Sequence, residues 1–263
     1  MIPFDLVYLR PDSVEEAIRA WSGRSDGVIY YSGGTEIVTG CRTGSYRPAV
    51  LIDLKSIPEL CRVESRDNAV FFGACLSLTR AAESNLFPML TRAIRGIADR
   101  SVRNRITLGG NLAGKLPYRE ALLPFLVADA TAHLVFPSPG GGAERRELPV
   151  RQLHAKRLQL RPGEILAGLS VPREAAQAPY FHARFTAGAS VDYPVLTLCA
   201  RRAGTLLSLA VSGAQDYPVW IESAPKDVQT EAFPPRRRDH RASAEYRGAL
   251  LASTLAQAKE ALA

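Results

Sequence analysis

Val28-Ile29-Tyr30-Tyr31-Ser32-Gly33-Gly34-Thr35-Glu36-Ile37 starts with four β-prone residues and runs into a turn that sets two glycines beside hydroxyl groups. Residues 28–31 predict a buried strand. Glycine admits positive φ and close backbone approach, so consecutive N–H groups after such a strand can converge on one anion. A second segment, Thr107-Leu108-Gly109-Gly110-Asn111, has the same make-up: a hydroxyl residue, two glycines and a polar amide. Two such turns suit a diphosphate, which needs several convergent donors and no Cβ in the way. Either one alone reads more readily as an ordinary tight turn. Neither is G-x-G-x-x-G or G-x-x-x-x-G-K-[ST], so a Rossmann site and a P-loop are not indicated.

Outward from these turns, Ser13-Val14-Glu15-Glu16 is a capping box that opens a short helix through Trp21, with Val14, Ala17, Ile18 and Trp21 on one face. Residues 49–54 predict a second strand, and 60–64 with 69–72 a hairpin across Arg66-Asp67-Asn68. Residues 78–84 and 87–100 read as helices, 107–111 as a turn and 121–128 as an apolar helix. Strands follow at 132–136, 146–150 and 165–171, the last ending at Pro172. The rhythm then becomes antiparallel. Strands are expected at 181–185, 194–200, 206–212 and 219–222, and a terminal helix over 245–262, with the proline- and charge-rich 224–243 as loop. A boundary near 172–179 would divide an α/β first part from an antiparallel sheet plus helix.

The chain has 263 residues, 46% hydrophobic and 22% charged, which excludes disordered, collagen-like and disulfide-miniprotein classes. This length favours two domains or subdomains over a single core. No uncharged stretch is long enough for a membrane span, and Met1-Ile2-Pro3-Phe4-Asp5 lacks the pattern of a signal peptide. Cys41, Cys61, Cys75 and Cys199 show no C-x-x-C, so buried thiols in a reducing cytoplasm are expected rather than zinc or iron–sulfur ligands. His133, His154, His182 and His240 share no ligand spacing, so no metal site is expected, and His133 reads as a surface or half-buried strand residue. Ser32 and Ser101 lack the G-x-S-x-G context of a hydrolase nucleophile.

The net charge of +7 is spread along the chain apart from Arg236-Arg237-Arg238, and no nucleic-acid signature accompanies it. That triplet is either a solvated loop or a docking surface for an acidic partner.

Tyr31-Ser32-Gly33-Gly34-Thr35-Glu36-Ile37 and Val102-Arg103-Asn104-Arg105-Ile106-Thr107-Leu108-Gly109-Gly110-Asn111-Leu112 resemble the two FAD motifs of the molybdenum hydroxylase flavoproteins. Four further islands are similar to that family, in its order. They are Pro11-Asp12-Ser13-Val14-Glu15-Glu16-Ala17, Asp192-Tyr193-Pro194-Val195-Leu196, Ser212-Gly213-Ala214-Gln215-Asp216-Tyr217-Pro218-Val219 and Arg241-Ala242-Ser243-Ala244-Glu245-Tyr246-Arg247.

The resemblance implies an α+β protein. A two-subdomain FAD-binding domain of the vanillyl-alcohol-oxidase (PCMH) type would occupy residues 1–175, with subdomains of about 1–55 and 56–175. A small antiparallel-sheet-plus-helix domain would follow over 176–263. It implies that Tyr31, Ser32, Gly33, Gly34, Thr35, Glu36 and Ile37 wrap the pyrophosphate of a non-covalently bound FAD. Thr107, Gly109, Gly110 and Asn111 would add contacts, Ile97 would line the site, and Glu120 would stand near the adenosine ribose. Leu166 and Arg184 would border the flavin.

Glu120 replaces the family's usual aspartate and Arg184 its lysine, and Thr186-Ala187-Gly188-Ala189-Ser190 replaces an arginine-rich stretch. Tyr30 and Tyr31 can pack on the flavin or in the core. The implied role is a cytoplasmic FAD-binding subunit of a multi-subunit oxidoreductase, which names no catalytic residue. Such a subunit would pass electrons between an iron–sulfur subunit, a molybdenum-cofactor subunit and an external acceptor. A free-standing FAD-dependent reductase and a flavin-free scaffold subunit are the alternatives.

Overall fold

The computed structural model describes residues 2–263 apart from Gly23, Ser25, Asp26, Asp67, Ala189 and Ser190. The expected turn at 66–68 and the 186–190 stretch therefore lie partly outside the described residues.

The chain begins with β1 (Val7–Leu9), α1 (Val14–Trp21), β2 (Val28–Tyr31), α2 (Thr35–Arg42) and β3 (Val50–Asp53), and the strands form a parallel sheet in the order β1-β3-β2. The Ser13 side chain caps α1 by accepting from Glu16 N–H, and Val14, Ala17 and Ile18 are buried against β3. β3 is buried throughout, whereas β2 is half-buried along its length, not buried as its residue types suggest. The reason is that the edge strand leads directly into an open cavity.

The middle of the chain supplies β4 (Val63–Ser65), β5 (Ala69–Gly73), α3 (Leu78–Glu83), α4 (Pro88–Arg95), α5 (Arg100–Arg103), α6 (Leu108–Ala113) and α7 (Leu122–Val127). It continues with β6 (Thr131–Pro137), β7 (Ala143–Pro149), α8 (Val150–Leu153), β8 (Ile165–Pro172) and α9 (Arg173–Gln177). Its sheet is antiparallel, in the order β4-β5-β8-β6-β7. Three expectations are corrected here. Residues 58–61 form a 3₁₀ turn led by Pro58, so β4 is shorter than 60–64. The helix expected over 87–100 ends at Arg95 with Gly96 as its C-cap, Ala98 takes φ +48°, and α5 restarts after the Asp99 cap. Residues 107–111 are not a free turn but the first turn of α6, capped by Thr107.

All six residues of α7 are buried. Phe125 lies edge-on between Phe72 and Phe87, with ring centroids 6.1 and 5.8 Å away, so its truncation would cost roughly 3–5 kcal/mol.

The third sheet, β12-β11-β10-β9, is an antiparallel meander of β9 (Tyr180–Thr186), β10 (Pro194–Ala203), β11 (Leu206–Ser212) and β12 (Val219–Ser223). Cys199 and Ala210 join the middle core on one face, and α10 (Ala244–Ala261) covers the other with Leu251, Leu255 and Ala258. Arg247 is fully buried in α10. It donates to the Val195 carbonyl, to Gly213 O at 3.0 Å and to Asp239 Oδ1 at 2.7 Å, tying the start of β10, the end of β11 and the preceding loop together.

Candidate functional site: a dinucleotide-sized cavity

A cavity of about 1020 Å³ opens between the β2–α2 connection, the α4-to-α7 region and the β9–β10 connection. This is at the upper end of the ~300–1,000 Å³ usual for small-molecule sites. Its floor is the pair of glycine segments.

Gly34 has φ +72° and is the N-cap of α2. The first helical bond of α2 runs from Val38 N–H to Gly34 O (2.8 Å), so the N–H groups of Thr35, Glu36 and Ile37 precede the ladder and are open to a ligand. Glu36 turns its carboxylate sideways instead: Oε2 accepts from Lys115 N–H (2.9 Å) and Oε1 from Tyr46 O–H (3.1 Å).

Close packing, rather than positive φ, explains the other glycines of the two segments. A Cβ on Gly33 would overlap Arg105 O, and one on Gly109 would lie 2.8 Å from Ala74 Cβ. The two segments are thereby pressed against each other and against residues 74–76. Ser32 Oγ donates to Thr107 Oγ1 (3.0 Å), which also accepts from Gly110 N–H (3.2 Å). Asn111 Oδ1 accepts from Ala121 N–H (3.2 Å), and its N–H₂ has no partner among the described residues.

The far wall is ionic. Glu120 is buried, with Oε1 accepting from Arg184 Nε (2.7 Å) and Thr197 Oγ1 (2.9 Å). Burial pushes its carboxyl above the ordinary range, and Arg184 and Thr197 oppose that shift. Arg184 also donates to Asp192 O (2.7 Å), and its aliphatic stem crosses Gly96, where a Cβ would lie 2.6 Å from Cδ. At the mouth, Tyr118 and Tyr193 stack at 5.1 Å and 18°, with Arg237 over the first ring and Arg241 over the second.

Of the residues expected at the site, Ser32, Gly33, Gly34, Thr35, Glu36 and Ile37 line the cavity, as do Ile97, Thr107, Gly110, Asn111, Glu120 and Arg184. Three do not. Tyr31 packs under Lys55 Nζ (4.2 Å) and against Tyr8, and Gly109 spends its N–H on Ala74 O (2.7 Å). Leu166 is buried in β8 within the middle core. Glu120 is present, but Arg184 and Thr197 already occupy its carboxylate. Tyr30 lines the cavity while its hydroxyl donates to Gly163 O (3.0 Å), so it serves both the cavity wall and the core.

Sequence reasoning gives no role to Tyr46, Lys115, Tyr118 and Tyr193, although Tyr193 stands within one of the family-like islands. Arg237 pairs with Asp216 and Asp239, so the 236–238 triplet is partly structural and not a free basic patch. His133 is half-buried between Glu147 (2.9 Å) and Ser170 (2.8 Å).

Residues 3–174 match the family described as the FAD binding domain in molybdopterin dehydrogenase. The chain belongs to this family. Its cofactor is FAD. The residues present fit that group: open N–H groups at 35–37, a hydroxyl pair and a free amide face one dinucleotide-sized cavity.

A "6-hydroxypseudooxynicotine dehydrogenase complex subunit alpha" of Paenarthrobacter nicotinovorans is 29% identical over 66% of this chain, spanning 59% of that protein's own length. The carbon monoxide dehydrogenase medium chain of Afipia carboxidovorans is 25% identical over 99% of this chain and 97% of its own. Among solved structures, carbon monoxide dehydrogenase from Hydrogenophaga pseudoflava superposes with a TM-score of 0.84 at 23% identity, covering 99% of this chain and 98% of that one. Quinoline 2-oxidoreductase from Pseudomonas putida 86 gives 0.81 at 18% identity, covering 98% and 96%. The α+β architecture is therefore that of these chains.

Proposed function

We propose that this chain is the FAD-binding subunit of a molybdenum-hydroxylase-type oxidoreductase, and that it passes electrons between a partner's iron–sulfur clusters and an external acceptor. The observation that carries the reading is the joined pair of glycine segments beneath one cavity, with the N–H groups of residues 35–37 without a partner among the described residues. Bound FAD supplies two-electron chemistry that can be released one electron at a time.

This chain's residues bind and orient. Residues 32–37, Thr107, Gly110 and Asn111 hold the diphosphate, Ile97 lines the cavity, and Arg184 with Glu120 fixes the far wall. Tyr31, Gly109 and Leu166 support the site from behind. The lining contains no histidine or cysteine among the described residues, which favours a non-covalent flavin. A division at about residue 175, with 1–55 and 56–175 as subdomains of the first part, fits the three sheets.

Among the described residues no cluster of three metal-ligating side chains occurs, and no helix is long and apolar enough to cross a membrane. The metal centres are accordingly assigned to partners.

The test is affinity purification from the native cell, with an absorption spectrum, acid precipitation, mass spectrometry and metal analysis. The expected result is a yellow complex that contains iron and molybdenum subunits, loosens as salt rises, and releases all its flavin into the acid supernatant. A chain that emerges alone and turns over a substrate would replace this reading with a free-standing enzyme. A colourless chain that cannot be reconstituted with FAD would leave a scaffold.

A further inference from the structure

Cys75 sits where both glycine segments rest. Its sulfur accepts from Ser32 Oγ at 3.3 Å, while its neighbours Ala74 and Leu76 accept from Gly109 N–H (2.7 Å) and Leu108 N–H (2.8 Å). Cys61 lies alongside. Cys75 N–H donates to Leu60 O and Gly73 N–H to Arg62 O, both at 2.8 Å, so the two segments carrying the cysteines run side by side, and the Cys61 thiol donates to Lys55 O at 3.3 Å. Cys61 is half-buried and Cys75 is buried; neither lines the cavity, and the cofactor reading uses neither.

We propose that Cys61 and Cys75 form a peroxide-sensitive thiol pair whose disulfide weakens the FAD site; the cofactor half of this inference rests on the reading of the cavity given above. In the first step the Cys61 thiolate attacks one oxygen of hydrogen peroxide. The O–O bond breaks, a sulfenic acid forms on Cys61, and the departing hydroxide takes a proton to become water. In the second step the Cys75 sulfur attacks the Cys61 sulfur. The S–S bond forms, the S–O bond breaks, and the second hydroxide leaves as water with the Cys75 proton. Two thiols lose two electrons and two protons, and the peroxide is reduced to two waters.

The environment divides the roles. The neighbouring Cys75 thiol first, then Arg80 and Lys55, lower the Cys61 thiol against the effect of burial, which favours Cys61 over Cys75 as the attacking thiolate. The Cys75 thiol is pushed well up by the neighbouring Cys61 thiol and by burial, which suits the resolving partner.

A disulfide brings the sulfurs to ~2.05 Å, closer than any hydrogen-bonded contact. Forming it draws Cys75 away from Ser32 and shifts residues 74–76, the carbonyls of which hold the second glycine segment. Cys41 and Cys199, both buried and outside this contact, are internal controls.

The full reduced chain is titrated with FAD, treated stepwise with hydrogen peroxide, alkylated and mapped by mass spectrometry, and then titrated with FAD again before and after dithiothreitol. The expected result is a linked Cys61–Cys75 peptide, with Cys41 and Cys199 still alkylatable. The FAD dissociation constant should rise about tenfold or more, each tenfold being ~1.4 kcal/mol, and dithiothreitol should restore it. Cys61→Ala should bind FAD like the parent and ignore peroxide. Over-oxidation of Cys61 without a linked peptide, a linked peptide with an unchanged constant, or a Cys61→Ala chain that still loses affinity under peroxide would each overturn the proposal. A reduced parent chain that takes up no FAD would instead overturn the cavity reading, and the cofactor half of the proposal with it, while the linked peptide is read independently.

Discussion

The Ser32 hydroxyl donates to Thr107 Oγ1 across 3.0 Å, joining two turns that lie 75 residues apart in the chain. That single hydroxyl pair sets the spacing of the cavity floor, because Thr107 Oγ1 simultaneously caps α6 through Gly110 N–H.

Ser32→Ala removes this link together with the contact to the Cys75 sulfur and one hydroxyl facing the cavity. The FAD dissociation constant should rise about fivefold to tenfold, the worth of roughly one hydrogen bond, with almost no change in melting temperature. Calorimetric titration checks it. An unchanged constant would mean that backbone packing alone holds the segments together.

Gly34→Val and Gly110→Val should both fold and purify without flavin. At Gly34 the substitution must adopt φ +72° and collide with the Tyr31 ring, at a cost of about 1–3 kcal/mol. At Gly110 the added Cβ lies 2.8 Å from Thr107 Oγ1, so the strain is local and the stability loss smaller. Flavin absorbance and circular dichroism on the same samples separate lost binding from lost fold; full flavin occupancy in both variants would assign the glycines to structure alone.

Arg184→Ala leaves the buried Glu120 carboxylate without its cation and should cost roughly 3 kcal/mol. Arg184→Lys keeps the charge but not the fork and should lose less. In an Arg184→Met/Glu120→Leu double variant most of the loss should return, since no uncompensated charge remains. Urea denaturation of the three variants decides it; a double variant no more stable than Arg184→Ala would show that the pair is not a matched charge couple.

Acid should destabilise the chain in two stages. Burial first, with Arg92 and Arg184 assisting, holds His182 down to about 4, so the unfolded chain binds the extra proton from ~6.5 downward. Stability from this group is complete above ~6.5 and falls as pH drops toward about 4. Asp239 works at lower pH. Burial opposes its ionisation, but N–H bonds from Arg241 and Ala242 together with Arg247 and Arg237 take it down to about 2. Its contribution is complete above the ordinary carboxylate range and is lost as pH falls from ~4 to about 2. Urea midpoints measured across this range should show both limbs, and His182→Asn should flatten only the first. Unchanged slopes in that variant would refute the assignment.

Segments whose own residues determine their structure are legible in the sequence. The Ser13 cap of α1, the wholly apolar α7 and the apolar runs of β10 and β11 need no distant partner to be recognised. The starts of α2 and α6 read as turns because glycine lowers helix propensity locally, whereas here it answers to a close crossing between chain segments. Gly96, the C-cap of α4, is a stop signal that the sequence offers, whereas nothing in it marks Ala98 for positive φ. At the site, the glycine segments declare themselves through composition. Tyr118, Tyr193 and Arg241 do not, since three separate loops must meet before their stack exists. Leu166 falls beside its expected neighbours in sequence yet points into the middle core, because register on β8 decides which face a strand residue takes.

The cavity draws walls from the first sheet's connection, from the α4–α7 region, and from the β9–β10 loop with Arg241. A molecule seated there is a keystone shared by three sheets. Opening any one of them forfeits the whole of its binding free energy, so loading should convert a chain able to fray sheet by sheet into one that unfolds in a single step, at a temperature that climbs with free FAD concentration.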